Sequence, residues 1–341
     1  MPSIASPVEN GNPLTGTWNK AFEEVDLLKI RRPYKYPMPR WARDYRIKER
    51  QCFSVQDDRY MLEAVFYNFK LYRMIQVLLY DKESGQKFVF NKIKPGGRSF
   101  PNSLANTSLD SHSSGFYFRI HSWLDADTIG LDINIEAASR RPSLTVHLSF
   151  NLNSCDVTPM VVSMGVSDRR IIYAYKTFAG VNGDIVFGGQ HIILNQKTSS
   201  GFFCDYKGFY PYQLKTAVCC AMGFIENRRF GFHIAENQTR ETNRNNENVL
   251  WVNGKSTPLP HVRITMPNGP DAEWIIQDLE GMVDLTFTPK EQNKSGINFF
   301  ITKAEYNAPL GLFNGMLVNS EGEQIQIKNL YGKGEIFNLR M

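Results

Sequence analysis

The feature of this sequence that most constrains its fold is an alternation of apolar and polar residues near the C-terminus. Val283, Leu285 and Phe287 alternate with polar residues, and Ile325 and Ile327 do the same farther along. Successive side chains in a strand point to opposite faces of a sheet, so a period of two is typical of a half-buried strand. The C-terminal part of the chain is therefore predicted to be antiparallel β-sheet.

Strand-like segments recur along the rest of the chain at intervals of roughly 8–16 residues, a spacing that favours sandwiches and barrels over βαβ units. Ile129–Ile135 and Leu144–Phe150 alternate strictly, and Tyr60–Phe69 is apolar nearly throughout, as in a strand covered on both faces. Helix is predicted only at Phe22–Ile30 and Leu214–Met222. The pattern predicts an all-β fold of two antiparallel β-barrel or half-barrel domains packed together, with little helix.

The length of 341 residues suits two domains. The most natural break lies at residues 153–168, a stretch that contains Pro159 and Gly165. The predicted organisation is an N-terminal arm at residues 1–40, a first β-barrel domain at 41–160 and a second at 161–341.

The composition gives an expectation for the cellular compartment of the protein. Residues 1–16 lack the apolar segment of a secretory signal, and no run approaches the roughly 18 apolar residues of a membrane helix. The five cysteines are odd in number and form no CxxC pair, which indicates free thiols in a reducing compartment. The sequence therefore predicts a cytoplasmic protein without a membrane span. The cysteines are Cys52, Cys155, Cys204, Cys219 and Cys220.

The net charge of +5 is concentrated in residues 29–50, which hold nine basic residues against two acidic ones. Interleaved aromatics such as Trp41 make this segment similar to a contact surface for nucleic acid or an anionic membrane. The alternative interpretation is an arm whose long Arg stems cover apolar surface of the first domain. The second interpretation is favoured, so no nucleic-acid partner is predicted.

Six segments occur in an order that resembles a bacterial family, catalogued as domain of unknown function 2804, over roughly residues 40–340. The chain departs from this family at Arg50, where the family tends to have Trp, and at residues 217–220, where the family tends to have a Trp-x-Trp pair. The matching segments are Arg46–Phe53, Tyr173–Lys176, Asp205–Tyr212, Glu247–Gly254, Leu310–Gly315 and Leu330–Glu335.

The resemblance implies a distant relation to two-lobed, lipocalin-like proteins, which include carotenoid hydratases, tocopherol cyclases and fungal Diels–Alderases. It implies two lipocalin-like barrels and a pocket for an apolar, lipid-like or isoprenoid-like molecule. It also implies chemistry without a metal or another cofactor.

The sequence contains no nucleophile elbow, phosphate-binding glycine loop or zinc-type motif. Candidate site residues therefore come from the family-matched segments. One interpretation gives them structural roles at strand ends and between barrels. The other gives one carboxylate a raised pKa, so that it protonates an alkene or polarises a carbonyl. The catalytic candidates are Asp205, Glu247 and Glu335; the ligand-binding candidates are Tyr175, Lys176, Tyr206, Phe209, Tyr212 and Asn248.

Three hypotheses about function remain at this stage. The first is a binder of an apolar small molecule such as a lipid or isoprenoid. The second is a cofactor-independent isomerase, cyclase or hydratase that acts on such a molecule. The third is a polyanion-binding or assembly protein that uses residues 29–50. An inward-facing carboxylate in an apolar cavity would favour the second hypothesis over the first.

Overall fold

The structure, a computed structural model, describes residues 5–139, 141–152, 157–298 and 303–340. Strand accounts for about 61% of the described residues and helix for 4%. The strands in chain order are β1 (Val8–Glu9), β2 (Asn12–Pro13), β3 (Gly16–Trp18), β4 (Lys48–Gln56), β5 (Tyr60–Asn68), β6 (Tyr72–Asp81), β7 (Gln86–Pro95), β8 (Thr107–Ser113), β9 (Phe116–Trp123), β10 (Thr128–Ile135), β11 (Leu144–Asn151), β12 (Met160–Ser167), β13 (Arg170–Ala179), β14 (Val181–Phe187), β15 (Gln190–Leu194), β16 (Ser200–Gly208), β17 (Gln213–Ile225), β18 (Arg228–Glu236), β19 (Val249–Val252), β20 (Lys255–Pro258), β21 (Val262–Thr265), β22 (Trp274–Asp278), β23 (Val283–Glu291), β24 (Lys294–Asn298), β25 (Lys303–Asn307), β26 (Leu310–Val318) and β27 (Gln324–Arg340).

Three large antiparallel sheets make up the described part of the chain. The central sheet has the order β3-β12-β13-β16-β4-β5-β6-β7, and the second sheet has the order β15-β14-β11-β10-β9-β8. The C-terminal sheet follows the path β20-β19-β18-β17-β27-β26-β23-β22-β21, with β25 paired to β27 and β24. The predicted fold, two lipocalin-like barrels or half-barrels with little helix, is confirmed.

The central sheet is covered on both faces. One face packs against the second sheet in a hydrophobic cluster that includes Phe53, Phe118 and Phe150. The other face packs against the C-terminal sheet in a cluster that includes Phe202 and Trp251. This double burial explains why β5 is buried at every position and reads as a continuous apolar run.

The C-terminal sheet curls around its own core, which includes Leu285, Phe287 and Phe313. The backbone N–H of Ile264 on β21 donates to the carboxylate of Glu236 on β18 at 2.8 Å. This contact brings the end strand of the path next to β18, so the sheet approaches a barrel. In the alternating segment Val283–Phe287, the apolar residues therefore lie on the inner face of this curled sheet and the polar residues on the outer face.

Both predicted helices are wrong. Phe22–Ile30 contains only a 3-10 turn at Leu27–Lys29, and Leu214–Met222 lies within strand β17. The single α-helix of the described residues, α1, spans Arg40–Arg46, and a second 3-10 turn spans Leu124–Ala126. The β17 segment resembles a helix in sequence because it is buried on both faces and shows no alternation.

The predicted domain limits at 41–160 and 161–341 remain a prediction. Strand β12 begins at residue 160, and β13 and β16 follow it in sequence, yet all three belong to the central sheet together with β4–β7. The chain passes from the central to the C-terminal sheet at residues 209–212, between β16 and β17. Part of the predicted break, residues 153–156, lies outside the described residues.

The described cysteines Cys52, Cys204, Cys219 and Cys220 are all free thiols and all buried. Burial raises the pKa of Cys52 to about 11 and that of Cys220 to about 12. Thiols of this kind are unreactive, because the thiolate is the nucleophilic form. Cys155 lies outside the described residues.

Candidate ligand-binding site

A cleft of about 90 Å³ lies between the central sheet and the C-terminal sheet. Strands β4, β5 and β16 contribute to one wall, and strands β17 and β27 contribute to the other. Most of its lining is apolar or aromatic, with a few charged groups. The lining residues are Lys48, Glu49, Arg50, Tyr67, Phe69, Ile172, Tyr206, Tyr210, Pro211, Leu214, Thr216, Val218, Asn237, Gln238, Thr239, Glu247, Phe337 and Leu339.

Strand register decides which side chains reach the cleft. Tyr206 on β16 pairs with Arg50 on β4, and both line the cleft. The adjacent pair, Asp205 and Gln51, lies on the opposite face of the same sheet, because successive side chains in a strand alternate. Neighbouring residues on these strands therefore lie on different faces: one side chain lines the cleft, and the next belongs to the core.

Glu247 is a firmly anchored carboxylate in the cleft wall. Its Oε2 lies 2.8 Å from the Nζ of Lys176 and accepts a hydrogen bond of 2.8 Å from the hydroxyl of Tyr206. Its Oε1 accepts from the amide of Asn237 at 3.0 Å. The Nζ of Lys176 also donates to the backbone carbonyl of Glu247 at 2.7 Å. These contacts hold the carboxylate in one orientation.

The surroundings of Glu247 set its protonation state. Burial raises the pKa of Glu247, but Lys176, Tyr206 and Asn237 outweigh that effect and lower the pKa overall. Burial, and next the negative charge of Glu247, raise the pKa of the Tyr206 phenol well above its usual value. At neutral pH Glu247 is therefore ionised, and Tyr206 is a neutral hydrogen-bond donor.

His233 lies beneath this pair as a neutral imidazole. Its Nδ1 is 2.8 Å from the Nζ of Lys176, so Nδ1 is assigned as the acceptor and Nε2 as the protonated nitrogen. The Nε2 is 3.5 Å from the hydroxyl oxygen of Tyr206. Burial, and next the charge of Lys176, lower the pKa of His233 well below its usual value.

A second cluster of charged residues connects the two walls of the cleft. Nη1 of Arg50 lies 3.5 Å from Glu335, and the Nζ of Lys333 lies 2.6 Å from Glu335 and 2.7 Å from Glu63. The hydroxyl of Tyr306 donates to Glu335 at 2.8 Å. Burial opposes ionisation of Glu335, but Lys333 and Arg50 outweigh burial and lower its pKa to about 2.

The guanidinium of Arg50 is surrounded by aromatic rings. Its central carbon lies 4.7 Å from the ring centroid of Tyr206, 5.5 Å from that of Phe337 and 5.9 Å from that of Tyr67. Distances of this order are typical of cation–π contacts, which stabilise a cation most where water is scarce. The Arg50 side chain is 15% exposed.

The family model described as "Domain of unknown function (DUF2804)" matches residues 8–340. This chain belongs to that family. The DUF2804 chain also resembles the crystal structure of kievitone hydratase from Nectria haematococca, with a TM-score of 0.53 and 10% sequence identity. That match covers 85% of this chain and 88% of the hydratase. At this identity the likeness concerns the fold alone. No curated protein sequence matches this chain.

Four of the candidate residues of this DUF2804 protein lie in or next to the cleft. Glu247 and Tyr206 are in its wall, and Lys176 contacts Glu247 from within the core. Glu335 contacts Arg50, which is in the wall. The sequence motifs that contain these four residues are far apart in the chain, and the pairing of the two sheets brings them together.

Three other candidates lie on the opposite face of the central sheet. Tyr175 and Phe209 belong to the core between the central and second sheets. Asp205 accepts a hydrogen bond of 3.0 Å from the amide of Gln51. Burial, partly offset by Lys207 and Gln51, raises the pKa of Asp205 to about 6. None of the three lines the cleft.

The last two candidates have other surroundings. The amide of Asn248 is buried: its Oδ1 accepts from the backbone N–H of Ala235 at 2.7 Å, and its Nδ2 donates to the carbonyl of Pro260 at 2.8 Å. Both contacts are to backbone groups and hold a turn in place. Tyr212 is 52% exposed, outside the cleft.

Sequence reasoning missed several cleft residues, above all Arg50, Tyr67 and Phe337. The only signal for Arg50 was that it stands where the family tends to have Trp. Val218, which lies within the other departing segment, also lines the cleft. Both departures from the family pattern thus fall in the wall of one cavity.

Two cations show how the basic segment at residues 29–50 is held: Arg43 contacts the N-terminal arm, and Lys48 contacts the body of the protein. Nη1 of Arg43 donates to the carbonyls of Leu28 and Ile30 at 3.0 and 3.1 Å. The Nζ of Lys48 donates to the carbonyl of Phe69 at 3.0 Å. These contacts support the interpretation of the segment as an arm that braces the central sheet.

Across the described ranges, no three His, Cys, Asp or Glu side chains are grouped so as to hold a metal ion. In the same part of the chain, no helix has the length and apolar character that a bilayer-spanning segment requires.

Proposed function

We propose that this protein binds a small, mostly apolar molecule in the cleft between the central and C-terminal sheets. Ligand sites of this kind are concave, mostly apolar and marked by a few convergent polar groups. The cleft has this composition: Phe69, Leu214 and Leu339 contribute apolar surface, and Arg50 and Glu247 contribute charge.

The observation that carries the proposal is the convergence of Arg50 and Glu247 on a mostly apolar cleft. Burial of charged groups is costly, and Glu247 is held by Lys176, Tyr206 and Asn237. Arg50 has one long contact, to Glu335, and borders the cleft. A polar part of a ligand gives both groups a role.

Blocking the cleft tests this proposal. Val218 lines the cleft, and Val218→Phe adds a ring that occupies ligand space. We expect native mass spectrometry of wild-type protein, purified from its own host, to show a bound apolar molecule that the variant loses at least about tenfold. A loss of this size corresponds to about 1.4 kcal/mol of binding free energy.

Ile193→Phe is the matched control, because Ile193 is 73% exposed and far from the cleft lining. This control is expected to retain the bound molecule at the wild-type level. Equal retention by wild type, Val218→Phe and Ile193→Phe would place the bound molecule outside the cleft and contradict the proposal.

A second candidate function is the addition of water to a double bond. The observation that favours it is an ionised carboxylate, Glu247, in the cleft wall next to the donor hydroxyl of Tyr206. In this function the ionised Glu247 takes a proton from water as the water oxygen bonds to carbon. The proton then returns to the neighbouring carbon, so atoms and charge balance. The solved structure of similar fold is itself named a hydratase.

Tyr206→Phe tests this second function without changing any charge. The variant removes the hydrogen bond to Glu247, and we expect formation of the water adduct to fall about tenfold or more while ligand retention is maintained. Mass spectrometry of the ligand after incubation in heavy-oxygen water measures both quantities. Absence of heavy oxygen from the wild-type product would contradict the hydratase function and leave the binding function intact.

A further inference from the structure

Arg50 has hydrogen-bonding capacity that the protein leaves unused. A guanidinium carries five N–H donors. Among the described residues, its one polar contact is the 3.5 Å approach of Nη1 to Glu335, which is long for a hydrogen bond. The remaining donors border the cleft, because the side chain lines that cavity and is 15% exposed.

The charge around Arg50 is already balanced. Within the described residues, this buried cluster contains three cations and three carboxylates, and His233 is neutral. An anionic ligand would leave a net negative charge in a site with little water, which is costly. A neutral acceptor oxygen adds hydrogen bonds without upsetting this balance. The charged residues are Arg50, Lys176, Lys333, Glu63, Glu247 and Glu335.

Lys48 is a further cation in the cleft lining; Glu49, in the same lining, offsets its charge, and two of the donors on its Nζ are engaged elsewhere. It donates to the carbonyls of Tyr45 and Phe69 at 2.7 and 3.0 Å. Glu49, the next residue, is paired with Lys70 at 3.0 Å. Lys48 therefore has one N–H donor left and Arg50 has four, so Arg50 is the cation in the wall with the most donors to offer.

The space next to Arg50 suits an apolar ligand body. A second cavity, of about 180 Å³, adjoins the cleft and shares Tyr67, Phe69, Phe337 and Leu339 with it. The rings of Tyr206 and Phe337 lie near the guanidinium, so its N–H donors are surrounded by aromatic surface. A ligand oxygen at these donors would lie beside aromatic surface.

We propose that Arg50 anchors the ligand through a neutral acceptor oxygen, and that the ligand class is an uncharged, mostly apolar carbonyl compound. This inference rests on the proposed binding function and adds the chemistry of the ligand's polar end. By this proposal, carboxylates and phosphates are not the preferred ligands. A plain hydrocarbon is not preferred either, because it offers no acceptor oxygen to Arg50.

Three probes of similar size separate these classes. They are 4-phenyl-3-buten-2-one (a neutral ketone), trans-cinnamate (an anion) and 1-phenyl-1-butene (a hydrocarbon). We expect wild-type protein to bind the ketone at least about tenfold more tightly than either of the others, in calorimetric titrations at one salt concentration. Hydrogen bonds from a charged donor are worth about this much.

Arg50→Lys keeps the positive charge and removes the planar fork of donors. We expect it to lower ketone affinity about tenfold and to leave hydrocarbon affinity nearly unchanged. Arg263→Lys is the matched control, because the Arg263 side chain is 76% exposed and outside the cleft. Hydrocarbon affinity reports in the same experiment that the cleft of the variant is intact.

Infrared spectroscopy of the ketone bound to wild type gives a measurement that does not depend on the variant folding. Hydrogen bonds from Arg50 lower the carbonyl stretching frequency relative to the ketone in hydrocarbon solvent. An unshifted frequency, or cinnamate binding as tight as the ketone, would overturn the inference. Equal affinity for ketone and hydrocarbon would overturn it and leave apolar binding intact. Binding of none of the three would contradict the proposed function as well.

Discussion

Asp205 and Glu247 are both buried carboxylates, yet their surroundings move their pKa values in opposite directions. Glu247 is 2.8 Å from the ammonium of Lys176, and this contact, together with the hydrogen bonds from Tyr206 and Asn237, outweighs the cost of burial. The hydrogen-bond donor to Asp205 is a neutral amide, that of Gln51, and burial prevails there. Desolvation disfavours the charged form of a carboxyl unless a nearby cation compensates.

Asp205→Asn is expected to stabilise the protein at pH 7.5 more than at pH 4. The folded-state pKa of Asp205 is raised from 3.8 to about 6, so the folded state holds the proton more tightly than the unfolded state. Wild type therefore loses stability as pH rises from about 4 through 6. The amide removes this loss, which is up to about 3 kcal/mol. Urea unfolding at the two pH values measures it.

Asp168→Asn serves as the control for this prediction. The Asp168 side chain is 70% exposed and pairs with Arg240 at the surface. Its replacement is expected to change the free energy of unfolding by under about 1 kcal/mol at either pH. A stability difference between Asp205→Asn and wild type that is the same at both pH values would show that Asp205 is not raised in pKa.

The strands of this fold differ in how clearly the amino-acid sequence identifies them. Where one face is exposed, as in β10 and β11, alternation identifies the strand directly. Where both faces are buried, as in β17, the pattern disappears: Cys219 and Ala221 face the core of the C-terminal sheet, and Cys220 and Met222 face the central sheet. A run of this kind is ambiguous between strand and helix, so the helix predicted there was wrong.

The glycines of the Tyr331–Glu335 segment have a structural reason that is independent of any ligand. A Cβ on Gly332 would lie 2.3 Å from the carbonyl oxygen of Cys220 on the paired strand. A Cβ on Gly334 would lie 2.4 Å from the indole of Trp274. Close packing inside the curled sheet thus requires glycine at both positions. Family motifs of this kind mark packing as readily as they mark a site.

The residue types of the candidate site could be predicted from the sequence. Which sheet faces pack together, and therefore which side chains share the cleft, could not. The segments that contain Tyr206 and Glu247 were selected from sequence, and both residues reach the cleft. Asp205 belongs to the same segment as Tyr206 but faces away, which depends on the register of β16 against β4. Arg50 was missed because its partners Glu335 and Phe337 come from the other end of the chain.

At the scale of the whole molecule, the central sheet belongs to both halves of the chain. Its strands come from residues 16–18, 48–95, 160–179 and 200–208, and each of its faces packs against a different sheet. Length and composition predicted two units of similar size, but a shared middle layer cannot be read from the order of the strands. Such a layer couples the stability of the two outer sheets.

Lys333→Met tests this coupling between layers. The Nζ of Lys333 on β27 lies 2.7 Å from Glu63 on β5, and both side chains are 6% exposed. Removing the cation leaves a buried carboxylate uncompensated, so we expect a loss of about 3–5 kcal/mol in the free energy of unfolding. Adding Glu63→Gln restores neutrality and should recover part of that loss.

Lys294→Met is the control, because its ion pair has side chains that are 53% and 58% exposed; the change should cost under about 1 kcal/mol. Urea unfolding, followed by fluorescence and circular dichroism, measures all four proteins. Two separate transitions, with only one of them moved by Lys333→Met, would mean that the outer sheets unfold independently.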